Sequence, residues 1–223
     1  MHKLVALLPM KANSSRVPGK NFRNLVDKPL FRWILDSLLE IPEVERVVIN
    51  TDARSILDEK GLPDTERLIV RNRIESLVGD EVSMNRIIQD DIDSIDSEAY
   101  LMTHTTNPLI RPSTISKAYR QYQSSLGVSD SLFTVNRFQT RFYRENGQAV
   151  NHDPKKLIPT QDLEPWYEEN SCLYFFSRSS FMSANARIGS SPSMMETPKL
   201  ESIDIDEEED WQLAETLAFQ SRN

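Results

Sequence analysis

Short apolar runs alternate with amphipathic helical segments along almost all of this chain, and that alternation most constrains its fold. "KLVALL" near the start, "VERVVIN", "RLIV", "AYLMTH", "SLFTV" and "CLYFF" each have the length and apolar content of a buried strand. Between them, "KPLFRWILDSLLE" reads as a helix with Pro29 in its first turn and Leu30, Trp33, Ile34, Leu38 and Leu39 inward. "EVSMNRIIQDDI" and "PSTISKAYRQYQSSL" read as two further helices, the second opened by Pro112. "ESIDID" reads as a short edge strand, followed by the helix "EEEDWQLAETLAFQ" with Trp211, Ala214, Leu217 and Ala218 on one face. Strands and helices alternating at this spacing predict an α/β fold: three layers, with a mainly parallel twisted sheet covered by helices on both faces. The expected organisation is one domain over residues 1–223, interrupted by an inserted arm at about 136–170. In that arm the periodicity loosens, "RENGQA" carries an Asn-Gly turn, and prolines and charges accumulate. Its aromatics, Phe138, Phe142, Tyr143, Trp166 and Tyr167, need a surface to bury against, and a partner subunit or their own domain serves equally well.

Ligands of such sheets bind beyond the carboxyl ends of the strands, so the polar endings of the runs matter: "PMKANSSR", "NTD", "RNR", "THTTNP" and "DID". The first is the densest. "LPMKANSSRVPGKN" holds Lys11, Arg16 and Lys20 among Asn13, Ser14, Ser15 and Asn21, in a chain whose net charge is -8. That charge argues against a nucleic-acid partner, which is met by a basic face, but leaves room for a few cations gripping one triphosphate. The loop is not a P-loop: Ser14 sits where the first glycine belongs and Asn21 replaces the magnesium-binding hydroxyl. There is no Gly-x-Gly-x-x-Gly fingerprint either. On charge alone it is more simply a solvated surface loop. Far along the chain, "SIDID" sets Asp204 and Asp206 two apart on an extended segment, which aims both carboxylates to one side. Two such oxygens suit Mg²⁺ together with waters and substrate phosphate. A capping aspartate with a surface neighbour would look the same. A single cysteine, Cys172, and the lack of any apolar stretch near the roughly 20 residues of a membrane span point to a cytoplasmic protein with no membrane partner.

In combination these motifs say more. "KANSSRVPGKN", "NTD", "TNPLIRP", "NSCLYF" and "SIDIDEEEDWQLAE", in this order, resemble the CMP-sugar synthetases, the cytidylyltransferases that activate acylneuraminate and related 3-deoxy-2-keto acids. The resemblance covers essentially the whole chain. It implies an α/β nucleotide-binding fold, coupling of CTP to a keto-acid sugar with Mg²⁺ as cofactor, release of pyrophosphate, and a homodimer whose inserted arm reaches the partner. It also implies site residues. Lys11, Asn13, Ser15, Arg16, Lys20 and Asn21 would hold the nucleotide, with Lys20 on the phosphates and Asn21 near the nucleoside. Arg73 and Asp80 would frame the base, with Arg71 as the rival of Arg73. His104, Asn170 and Tyr174 would meet the sugar, and Asp204 and Asp206 the metal. Lys20, Asp204 and Asp206 would carry catalysis. The chain departs from the pattern where Lys11 replaces an arginine, Ser15 a lysine, Ser171 a glycine, and His104-Thr105 a Gln-Pro pair. Those departures leave open another acceptor such as 3-deoxy-manno-octulosonate, or a non-catalytic nucleotide-binding relative.

Overall fold

The computed structural model describes residues 4–220. In chain order its elements are β1 (Leu4–Met10), β2 (Asn24–Leu25), β3 (Lys28–Pro29), α1 (Leu30–Leu39), β4 (Val44–Thr51), α2 (Arg54–Glu59), β5 (Leu68–Asn72) and α3 (Met84–Ser94). There follow β6 (Ala99–Thr103), α4 (Pro112–Ser125), β7 (Ser131–Phe138), β8 (Trp166–Phe176), α5 (Arg178–Ala184), β9 (Pro192–Glu196) and α6 (Glu208–Gln220). Seven strands form one sheet in the order β5-β4-β1-β6-β8-β7-β9, while β2 and β3 make a small separate hairpin. β4 and β6 flank β1 in parallel, β5 pairs parallel to β4, and β9 runs parallel to β7; β8 is antiparallel to both its neighbours.

β1 shows why the sheet is three-layered. Its side chains alternate between faces, and every residue is buried. Leu4, Ala6 and Leu8 enter a core with Phe31, Ile34, Leu35 and Leu38 of α1, Leu57 of α2 and Ile115, Ala118, Tyr119 and Tyr122 of α4. Val5 and Leu7 enter the opposite core, with Ile88 and Ile92 of α3 and Phe181 of α5. A strand covered on both faces has no polar alternation, hence the continuous apolar run; each such aliphatic side chain contributes about 1.5–3 kcal/mol by burial. α6 closes a third cluster, packing Trp211, Ala214 and Ala218 on Val17, Leu25 and Leu30.

Most expected elements are present, with Lys3 of the first run outside the described residues. α2, α5, β9 and the β2–β3 hairpin were not expected; the hairpin takes Lys28 and Pro29, so α1 starts at Leu30 and Pro29 precedes its first turn. "ESIDID" is not an edge strand but irregular chain, tied down where the Ile205 amide donates to the Thr106 carbonyl at 2.9 Å. The arm begins as a two-stranded ribbon, because β7 and β8 go on pairing from Val135–Glu169 out to Phe138–Trp166. Beyond it Tyr143 and Ala149 bridge across the Asn-Gly turn, with Gly147 at φ 79°. Phe142 stacks on Trp166 at 5.3 Å and Phe138 meets Phe142 edge-on at 6.2 Å. The arm aromatics thus pack on one another, yet Phe138, Tyr143, Trp166 and Tyr167 stay exposed.

Candidate active site

Strand register assembles the site. Met10 of β1 lies opposite Thr51 of β4, and Thr51 opposite Asn72 of β5. Three strands therefore end level, and the residues that follow them (Lys11, Asp52 and Arg73) emerge side by side at the carboxyl edge. β6 ends beside them, delivering His104, Thr105 and Thr106. Together with the loop after β1 and the 204–206 segment they enclose a cleft of about 400 Å³. A second depression of about 330 Å³, lined by Trp33, Pro108, Leu109 and Leu217, holds a single cation, Arg111, paired with Glu201 at 3.7 Å.

The loop after β1 is built rather than loose. Asp52 accepts from the Ala12 amide at 2.7 Å. Gly19 takes the left-handed φ of 64° that lets a short 3₁₀ turn start at Lys20. Asn21 lines the cleft, but its polar atoms serve as a brace: the amide donates to the Lys11 carbonyl at 2.8 Å, and its oxygen accepts from the Thr105 hydroxyl. Lys20 is buried, and its ammonium donates to the Ile205 carbonyl and, at 3.4 Å, to Asp206 Oδ1. Arg16 reaches the same oxygen at 2.8 Å, and Lys11 pairs with Asp80 at 2.5 Å. The two motifs nearly two hundred residues apart thus meet directly.

Asp204 sits lower in the cleft. Burial raises its carboxyl above the ordinary aspartate range, with Asp206 adding to the effect and a hydrogen bond from Thr106 opposing it. Its Oδ1 is buried without a hydrogen-bond partner. Such an oxygen, beside a second carboxylate, fits a divalent cation. Among the described residues no group of three or more His, Cys, Asp or Glu side chains is placed to hold a metal. Asp204 and Asp206 are the residues that would hold such a cation, and two carboxylates suit Mg²⁺ completed by substrate phosphates and water.

On the far side, burial together with the neighbouring Arg187 and Lys20 pushes the His104 imidazole down to about 3. Arg73 lines the cleft with its guanidinium bound to the Asn50 side chain at 3.0 Å and the Asn50 carbonyl at 2.8 Å. Desolvation lowers its pKa, while Asp52 and Asp91 oppose that shift. Asn50 is itself oriented by buried Asp91, to which it donates at 2.8 Å.

Of the residues read from sequence, Lys11, Ser15, Arg16, Lys20, Asn21, Arg73, Asp80, His104, Asp204 and Asp206 line this one cleft. Four do not. Asn13 is exposed on the outer side of the loop. Arg71 turns away to Asp90 at 2.8 Å and to Asp91 and Ser94, an ion-pair cluster on α3, which separates it from its rival Arg73. Asn170 is buried beneath the surface, where Thr134 donates to it at 2.8 Å and it donates to Thr197 at 2.6 Å. Tyr174 is fully buried, with its hydroxyl on Glu169. Its neighbour Ser171 reaches the cleft instead, in the left-handed region at φ 59°. Glycine holds that conformation without strain, which explains the residue the motif ordinarily carries there. Sequence reasoning also missed Thr106, Asn50 and Asp52 as supports, although all three lie in strand endings already marked as polar.

A mainly parallel sheet with a cation loop facing paired carboxylates at its carboxyl edge is an arrangement suited to a nucleotide and its phosphates. The cytidylyltransferase family model matches residues 5–220, and the chain belongs to that family. It is an enzyme of the cytidylyltransferase class, using CTP. Similar proteins include pseudaminic acid cytidylyltransferase of Campylobacter jejuni, 24% identical over 96% of both chains. CMP-N,N'-diacetyllegionaminic acid synthase of Legionella pneumophila is 27% identical over 96% of both. N-acylneuraminate cytidylyltransferase B of Danio rerio is 28% identical over 94% of this chain and 50% of its own length. Among solved structures, a CMP:2-keto-3-deoxy-manno-octonic acid synthetase complexed with CTP superimposes with TM-score 0.68 at 14% identity, covering 98% of this chain and 99% of that one. The 4-diphosphocytidyl-2C-methyl-D-erythritol synthase of Anaerococcus prevotii gives 0.69 at 10% identity, covering 97% and 96%. At those identities the structures speak for the fold.

Proposed function

We propose that this enzyme transfers CMP from CTP to the anomeric hydroxyl of a sialic-acid-like 3-deoxy-2-keto acid, with Mg²⁺ as cofactor. The observation that carries the reading is the meeting of Arg16 and Lys20 with Asp206, beside the unpartnered oxygen of Asp204, in one cleft. The acceptor class is supported by the relatives that match along nearly their whole length and are named for pseudaminic and diacetyllegionaminic acids.

In the reaction, the acceptor hydroxyl loses its proton to solvent as its oxygen bonds to the α-phosphorus, the bond from that phosphorus to the bridging oxygen of the β-phosphate breaks, and pyrophosphate leaves. The protein contributes positioning and charge. Lys11, Arg16 and Lys20 now face carboxylates; with CTP bound they exchange those partners for phosphate oxygens and neutralise the leaving group. Arg73, fixed from below by Asn50, and Asp80 stand at the end of the cleft suited to the base. Asp204 and Asp206 would hold Mg²⁺, which when bound supplies Lewis-acid stabilisation of phosphate charge. His104 stays neutral beside the acceptor side of the cleft.

The same reading includes a homodimer formed through the arm, supported by the exposed Phe138, Tyr143, Trp166 and Tyr167. It also places the enzyme in the cytoplasm with its CTP. Among the described residues no helix is long and apolar enough to cross a membrane. The test is pyrophosphate release from CTP and Mg²⁺ with a panel of N-acetylneuraminate, pseudaminate, diacetyllegionaminate and 3-deoxy-manno-octulosonate. Release with one of the first three, and little with the last, is expected. Release with 3-deoxy-manno-octulosonate alone would move the acceptor class, and release with none would overturn the reading.

A further inference from the structure

Arg187 lies in the segment between α5 and β9, and neither the loop motif nor the aspartate motif involves it. Its guanidinium stacks on the Tyr174 ring at 3.9 Å. One terminal nitrogen, Nη2, is well used: it donates to the Tyr174 hydroxyl at 3.0 Å and to Glu169 at 3.2 Å. The other, Nη1, is not. Its contacts are both long: the Met102 sulfur, a weak acceptor, at 3.9 Å, and Nε2 of the neutral His104 ring at 3.4 Å. The side chain is only 21% exposed, so water does little to complete it.

The place of this half-satisfied cation is informative. His104 lines the cleft at the end of β6. The triphosphate cations follow β1, on one side of β6. Tyr174 and Glu169 belong to β8, on the other side, where the arm leaves the sheet. Ser171 lines the cleft on that same side, in a strained left-handed turn of β8. Arg187 itself does not line the cleft; it stands directly behind His104, which does, and next to the strand that carries the arm.

We propose that Arg187 binds the carboxylate of the acceptor, offering Nη1 beside His104, and so selects keto acids over neutral sugars. This rests on the acceptor reading above. Glu169 holds the opposite edge of the guanidinium in place. A planar carboxylate at Nη1 replaces a thioether and a long imidazole contact with a charge-assisted bond.

The experiment is calorimetric, so that it does not depend on turnover. Enzyme saturated with the α,β-methylene analogue of CTP and Mg²⁺ is titrated with each keto acid of the panel, then with the methyl ester of the one that binds most tightly. The proteins are wild type, Arg187→Met, which keeps the aliphatic stem on Tyr174, and Arg187→Lys. Wild type is expected to prefer the acid over its ester by about 10- to 150-fold. Arg187→Met should bind both equally weakly, Arg187→Lys should fall between, and all three should bind the CTP analogue alike. Equal preference for the acid in wild type and Arg187→Met would overturn the assignment while leaving the acceptor reading intact. Weakened binding of the CTP analogue by Arg187→Met would overturn it in favour of a structural role. If no keto acid bound to wild type, both would fall together.

Discussion

Replacing Lys20 by methionine removes one charge from the point where the two halves of the site touch, with little change in volume. The ammonium is buried and donates to the Ile205 carbonyl. Loss of a hydrogen bond of this kind, with a buried acceptor left unpaired, costs about 1.5–3 kcal/mol, and methionine avoids most of the additional cavity penalty. For a chain of this size each kcal/mol lowers the melting temperature by about 2–4 °C, so a loss of about 2 kcal/mol is a drop of about 4–8 °C. On the proposed function nucleotide binding suffers separately, because a charge-assisted contact from Lys20 to the triphosphate would be worth about 1.5–3 kcal/mol, or roughly 10- to 150-fold in affinity. A thermal melt reads the first effect and calorimetric titration with CTP the second. The reasoning is refuted if the melt falls as expected while CTP affinity stays within about twofold of wild type. Lys20 would then brace the 204–206 segment and nothing more.

Asp204→Asn separates chemistry from stability. Burial raises the Asp204 carboxyl, so the folded state holds its proton more tightly than the unfolded chain; the ionised form therefore opposes folding at neutral pH. The variant should melt no lower than wild type at pH 7 and yet lose at least about 100-fold in Mg²⁺-dependent pyrophosphate release. Asp91, raised by burial from 3.8 to about 6, makes a pH prediction with the same sign. Its contribution to stability is present at pH 4 and declines as pH rises through 6, so the difference in unfolding free energy between wild type and Asp91→Asn should fall across that window; a flat difference would contradict it. Ser171→Gly relieves a left-handed backbone, which outweighs the extra freedom of glycine in the unfolded chain, and should stabilise the fold by up to about 1 kcal/mol in denaturant titration; a loss of stability would contradict it.

The strands of the sheet were legible because burial on both faces leaves apolar runs, unbroken in "LVALL" of β1. α2 escaped because a six-residue helix with only Leu57 buried has no periodicity to show. β9 escaped because "PSMME", at the sheet edge, buries only Met195 among its five residues. "ESIDID" misled: its alternation is real, and Asp204 and Asp206 do line one cleft, but a single amide bond to Thr106 takes the place of a ladder. Arg71 and Arg73 were inseparable in sequence because two residues along a strand share a face. β5 stops at Asn72, so the rule lapses between them. Asn170 and Tyr174 were read as sugar contacts from a motif whose cleft-lining member here is Ser171. Arg187 had no signal at all, since its role depends on a ring stack and on a histidine more than eighty residues away.

The measurement that bears most directly on the site is a crystal structure of the enzyme with CTP and Mn²⁺, located by its anomalous signal. The account predicts manganese bound by Asp204 and Asp206, with the ammonium of Lys20 and the guanidinium of Arg16 turned from Asp206 to the phosphates. Nucleotide bound elsewhere, or manganese held without either aspartate, would contradict it.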